Sequence, residues 1–141
     1  MKYLLAAKLW LATRFSGPAV RVTEVDAPPA RARDLFFQHF RQQIPETPRH
    51  FILEACPGWF RGPMVLGYVH FEPFKDAYLA GGLVVDAWRF RKLPTDMRAR
   101  IHDRGGLAEW LMTESCDLMS SSLAIYAYIG DKRSKKVLMR V

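Results

Sequence analysis

The sequence predicts a mixed α/β domain, a sheet of antiparallel and parallel strands covered by helices. Three observations lead there. Half of the 141 residues are hydrophobic and 13% are aromatic, enough apolar surface to offset the entropy of ordering one core, and a chain of this length rarely divides into two. Runs rich in β-branched and aromatic residues alternate with stretches whose apolar residues recur at helical spacing. The resulting order is strand, helix, three strands, helix, strand, helix, with one more helix in front; a hairpin-like first part and a β-α-β second part call for a mixed sheet.

The chain divides into an N-terminal helical extension, residues 1–19, and one domain, residues 20–141. In the extension Leu4, Leu5, Leu9, Ala12 and Phe15 recur at near-helical spacing. The expected amphipathic helix packs on the domain or on a second subunit of a homodimer, or lies on a membrane surface. Lys8 interrupts the apolar run and Arg14 follows it, a poor fit to a secretory signal. No stretch approaches the roughly 20 apolar residues of a transmembrane helix. Ser16-Gly17-Pro18 stops the helix.

Val20, Val22 and Val25 in VRVTEV predict the first strand, broken by Asp26-Ala27-Pro28-Pro29. Leu35, Phe36, Phe40 and Ile44 then recur at helical spacing and predict a core-facing helix that Pro45 ends. HFILEAC (residues 50–56) and MVLGYVHF (64–71), joined by a Gly- and Pro-containing loop, predict an antiparallel hairpin. YLAGGLVVDAW (78–88) is apolar almost throughout, as expected of a strand buried on both faces at the sheet centre. Residues 89–104 hold six basic side chains and predict a basic loop with at most one helical turn. Leu107, Leu111, Met112, Leu118 and Met119 trace a helix after Gly105-Gly106; LAIYAYI (123–129) predicts a further buried strand, and a last helix starts at Ser134.

Lysine and arginine outnumber aspartate and glutamate by 21 to 14, a net charge of +7. Such a balance favours anionic partners, whether a phosphate-bearing small molecule, nucleic acid or an acidic surface. Two cysteines, Cys56 and Cys116, in a chain able to build a core imply no disulfide framework, and a reducing, cytoplasmic setting is expected. The four histidines show no HxxxH or HExxH spacing and the cysteines form no CxxC, so no metal site is expected. There is no full P-loop, no G-x-G-x-x-G and no G-x-S-x-G.

The sharpest local pattern is Val84-Val85-Asp86, then the basic segment, then Arg104-Gly105-Gly106-Leu107-Ala108 opening a helix. Glycines at a helix start let a ligand approach the backbone, and the unpaired N–H groups there favour a phosphate; the same glycines also suit a plain turn. Tyr68, His70 and Glu72 alternate along one strand and share a face. His70 and Glu72 are candidate general bases, and Asp86 at a strand end is a third. Each also fits a structural role on a half-exposed strand or strand end.

The order of elements resembles the GNAT (GCN5-related N-acetyltransferase) superfamily. Val65-Leu66-Gly67-Tyr68-Val69 resembles its "ivGy" strand, and Gly130-Asp131-Lys132-Arg133-Ser134 its "gN..S" helix start. Asp103-Arg104-Gly105-Gly106-Leu107-Ala108 is similar to its Q/R-x-x-G-x-G/A pyrophosphate loop, with Asp103 where the family has Gln or Arg and a longer segment in front. The resemblance implies a GNAT-like acyl-CoA N-acyltransferase fold, truncated before its two C-terminal strands, and transfer of an acetyl or related group from acetyl-CoA or another acyl-CoA to a small-molecule or protein amine. It further implies that Leu83, Val84 and Val85 face the pantetheine arm, and that Arg104, Gly105, Gly106, Leu107, Ala108 and Ser134 belong to the cofactor site. A non-catalytic basic module for nucleic acid or phosphorylated ligands, and a CoA binder without turnover, are the alternatives. Trp88, Tyr126 and Tyr128 would be the stacking residues of a nucleic-acid surface, but their strands read as buried.

Overall fold

The computed structural model describes residues 19–46, 48–58, 62–122, 124–127, 132, 135, 136 and 139. The helix expected over residues 2–14, Tyr128 and Ser134 lie outside the described residues. The domain is α/β with an open mixed sheet. Its elements are β1 (Ala19–Val25), α1 (Ala30–Phe40), β2 (Arg49–Cys56), β3 (Met64–Phe74), β4 (Ala77–Ala80), β5 (Val84–Val85), α2 (Ala87–Arg91), α3 (Thr95–Asp103), α4 (Leu107–Leu118) and β6 (Ile125–Ala127).

The sheet order is β1-β2-β3-β4-β6, and β5 also pairs with β3. Strands β1 to β4 are antiparallel neighbours, whereas β6 runs parallel to β4. A parallel pair needs a crossover, and α2, α3 and α4 make it. Strands β2 and β3 are the most buried. Side chains alternate between a layer with Phe51, Leu53, Val69 and Phe71 against α3 and α4, and a layer with Ile52 and Tyr68 against α1. A bulge interrupts the alternation: Leu53 faces Gly67 and Glu54 faces Val65, so Leu66 is the extra residue. Gly67 sits close there: a Cβ would stand 3.2 Å from Leu111 Cδ2 and 3.3 Å from the Val84 carbonyl oxygen.

Three expectations are corrected. The run 78–88 is not one central strand, because pairing lapses at Gly81-Gly82-Leu83 and the chain is helical from Ala87, leaving Trp88 exposed. The basic segment 89–104 is not a loop: α2 and α3 occupy it, and Phe90, Leu93, Met97 and Ile101, spaced three and four apart, turn one stripe onto the core. The strand within 123–129 is not buried, since β6 pairs among the described residues only with β4 and Tyr126 is exposed.

Candidate functional site

The site is built around the lapse between β4 and β5. Through Ala80 the strand pairs with β3 on one side and β6 on the other. The Gly81 N–H still donates to the His70 carbonyl at 2.8 Å. Val84 and Val85 then re-pair with Tyr68 and Gly67 of β3, and among the described residues β5 has no strand on its other side. Three rings dictate the two glycines. A Cβ at Gly81 would fall within the His70 imidazole, and one at Gly82 would lie 2.8 Å from Phe40 Cε2 and closer still to Phe36. Gly81→Ala should therefore cost about 1–3 kcal/mol, the usual range for overpacking, while Gly62→Ala, where a Cβ meets nothing within 4 Å, should cost little. Urea denaturation of both variants checks this.

His70 is buried on the α1 face, with Phe36 and Tyr68 ring centroids 5.6 and 5.8 Å away. Its Nδ1 is buried without a hydrogen-bond partner, and its Nε2 lies 4.0 Å from Glu72 Oε1. Burial, helped by the neighbouring His50, pushes its pKa down to about 4, so the imidazole is neutral near pH 7. Next along the same face, His50 Nδ1 and the Tyr68 hydroxyl are 2.8 Å apart. Burial lowers the His50 pKa, and burial raises that of Tyr68. Glu72 lies at the rim, partly exposed.

Asp86 has a bracing role. Its Oδ1 accepts the Arg89 N–H at 3.0 Å, capping α2, and its Oδ2 accepts from Arg31 of α1 at 2.7 Å. Burial raises its pKa, but the Arg89 N–H, the Arg31 hydrogen bond and both guanidinium charges outweigh that and hold it below the usual carboxylate range. An ionised, doubly bonded carboxylate is a poor proton acceptor. The expectation that it serves as a base is not supported by this geometry.

The glycine pair before α4 also differs from expectation. Gly106 N–H donates to the Ile101 carbonyl and Gly105 N–H to that of His102, both at 2.9 Å, with Gly105 at φ +88°. This is a Schellman closure of α3. The two donors assigned to a pyrophosphate are thus committed to α3, and the groups that helix geometry leaves over belong to the first turn of α4, Leu107, Ala108 and Glu109. The Glu109 carboxylate folds back over Gly105, toward the positive end of that helix. Arg104 is turned along α4: its guanidinium stacks 4.8 Å from the Trp110 ring centroid and pairs with Glu114 at 3.5 Å.

The structure brings Gly81 and Glu72 to His70, whereas Val84 and Val85 pair further along β3, with Tyr68 and Gly67, and Asp86 follows them. Sequence reasoning missed Gly81 and Gly82, whose signal was a glycine doublet inside an apolar run, and the exposed side chains of Leu79 and Tyr126. Comparison with family models, curated proteins and solved structures finds no match to this chain. Among the described residues no group of three His, Cys, Asp or Glu side chains could hold a metal ion, and no helix is long and apolar enough to cross a membrane.

Proposed function

We propose that the protein is an acyltransferase of GNAT-like architecture that moves an acetyl or related acyl group from acyl-CoA to an amine. The observation that carries this reading is the interrupted β4–β5 strand, whose last two residues pair with β3 alone among the described residues, beside a buried neutral imidazole. A strand edge of that kind can take an extended ligand arm by backbone hydrogen bonds. Leu83, Val84 and Val85 offer those groups to the pantetheine arm. The first turn of α4 offers N–H groups and dipole to the pyrophosphate, with the Glu109 carboxylate displaced as it binds.

The amine attacks the thioester carbonyl with its lone pair, forming the C–N bond. The nitrogen becomes acidic as it bonds, so even a weak base suffices, provided it is unprotonated. His70 meets that condition because burial keeps it neutral. The proton passes from the nitrogen to His70 and, because Glu72 is 4.0 Å away, through a water to that carboxylate and on to solvent. The tetrahedral adduct collapses, the C–S bond breaks, and the thiolate leaves and is protonated from water.

His70→Ala should lower kcat/KM for acyl transfer by about 10²-fold, the range for loss of a general base, with CoA affinity unchanged. Thiol release with acetyl-CoA and an amine panel, beside calorimetric titration with CoA, reads both. No CoA binding by the parent protein would overturn the proposal. A second reading has its own observation: Trp88 is 57% exposed and Lys92 Nζ stands 3.4 Å from its ring centroid, with Arg91 also exposed on the same short helix. That is the aromatic-and-cation surface of a single-strand binder. Binding of single-stranded RNA in place of CoA, lost in Trp88→Ala, would favour it.

A further inference from the structure

Beyond His70 no described element covers the α1 face of the sheet. Register places Glu72 opposite Leu79 and Leu79 opposite Tyr126, with Phe74 opposite Ala77 in the next row. Residues directly opposite share a face, so these side chains continue the row of Tyr68 and His70. Helix α1 stops short of them: Phe36 and Phe40 cover Gly82, and Phe36 also packs on Tyr68 and His70. Leu79, Phe74 and Tyr126 are 41%, 54% and 58% exposed, and border a cavity of about 320 Å³ that Lys75, Asp76 and Ala77 also line. The other face of the same strands is closed by contrast, since Tyr78, Ala80 and Ile125 pack against the core.

We propose that this shelf binds the acyl acceptor, and that the acceptor is a small primary amine with one cationic head and an aromatic or branched apolar body. The proposal rests on the acyltransferase reading above. Its charge pattern carries it: the chain is +7 overall, yet around the shelf two carboxylates, Glu72 opposite Leu79 and Asp76 in the cavity wall, stand against one ammonium, Lys75, which sits over the Phe74 ring at 5.7 Å. An ammonium seated against Glu72 lies next to the His70 imidazole and gives one proton through that carboxylate to solvent before its nitrogen attacks, while its apolar body covers Leu79 and Tyr126. A polycation such as spermidine carries three charges against the two rim carboxylates, and its third would lie on apolar walls, which is costly. The cavity is also of small-molecule size.

The test has two arms. In the first, saturation-transfer NMR follows 2-phenylethylamine and spermidine with the protein alone. Transfer to 2-phenylethylamine, falling at least about fivefold in Tyr126→Ser and Leu79→Ser, is expected, with little transfer to spermidine. In the second, thiol release from acetyl-CoA is measured with the same amines. The two variants, both at exposed positions, should raise KM for 2-phenylethylamine about tenfold or more, the scale for losing apolar pocket contacts, with kcat within about twofold and CoA affinity unchanged. Parent protein that binds 2-phenylethylamine but not CoA would sink the acyltransferase reading and leave the shelf standing. Equal response of parent and variants in the first arm, or preference for spermidine, overturns the shelf whatever the second arm gives.

Discussion

Asp86→Ala is expected to destabilise the protein by about 2–4 kcal/mol, the loss of a helix cap together with a charged hydrogen bond to the half-buried Arg31. Three elements meet at this residue. Its N–H donates to the Leu66 carbonyl at 2.7 Å and fastens the end of β5 to β3, its Oδ1 caps α2, and its Oδ2 holds Arg31 of α1. Alanine keeps the first contact and removes the other two, leaving Arg31, whose Nε is already buried without a partner, uncompensated at the sheet. Asp86→Asn retains an oxygen for the Arg89 N–H and loses the charge, so it should cost less than alanine. Urea denaturation of both variants, together with Arg31→Ala and the double variant, measures the coupling. A loss below about 1 kcal/mol in Asp86→Ala would show that the two arginines find other partners and that the brace is weak.

Stability should also fall in mild acid, by about 3 kcal/mol from His70 alone between pH 6.5 and 4. The sign follows from the direction of the shift. The folded imidazole has its pKa pushed down to about 4, against about 6.5 in the unfolded chain. Above pH 6.5 neither state binds the proton and stability is flat. Below it the unfolded state takes up a proton that the folded state refuses until about pH 4, so unfolding becomes easier as pH drops through that interval. His50, also lowered by burial, adds to the loss in the same direction. Asp86 and Glu24, whose pKa values are lowered in the folded state, lose their contribution at lower pH still. Denaturation midpoints at several pH values, for the parent and for His70→Gln, test this: the variant should show a clearly flatter profile, and an identical profile would mean that His70 titrates normally.

The hairpin of β2 and β3 was legible because its alternation is local: Phe51, Leu53, Val69 and Phe71 on one face, His50, Tyr68 and His70 on the other. Helix α4 was legible for the same reason, through the spacing of Leu107, Leu111 and Met112. Helices α2 and α3 were not, because their stripe of Phe90, Leu93, Met97 and Ile101 is thin, is crossed by Pro94 and is surrounded by arginines. The run 78–88 misled because an unbroken apolar stretch has no period to distinguish strand from interruption or helix. Its one internal signal was Gly81-Gly82.

For the site, sequence alone determined that His70 and Glu72 share a face with Tyr68, since a strand's two-residue period leaves no other arrangement. It also determined that glycines close the segment before α4. Only the tertiary structure decided what these features do. Burial under Phe36 and Gly81 keeps the His70 imidazole neutral; the carbonyls of Ile101 and His102 claim the N–H groups of Gly105 and Gly106; and Arg31, brought from α1, turns Asp86 from a candidate base into a brace. The physical reason is that a residue's face depends on its immediate neighbours in the chain, whereas its protonation and its free hydrogen-bonding capacity depend on groups that only folding brings within reach.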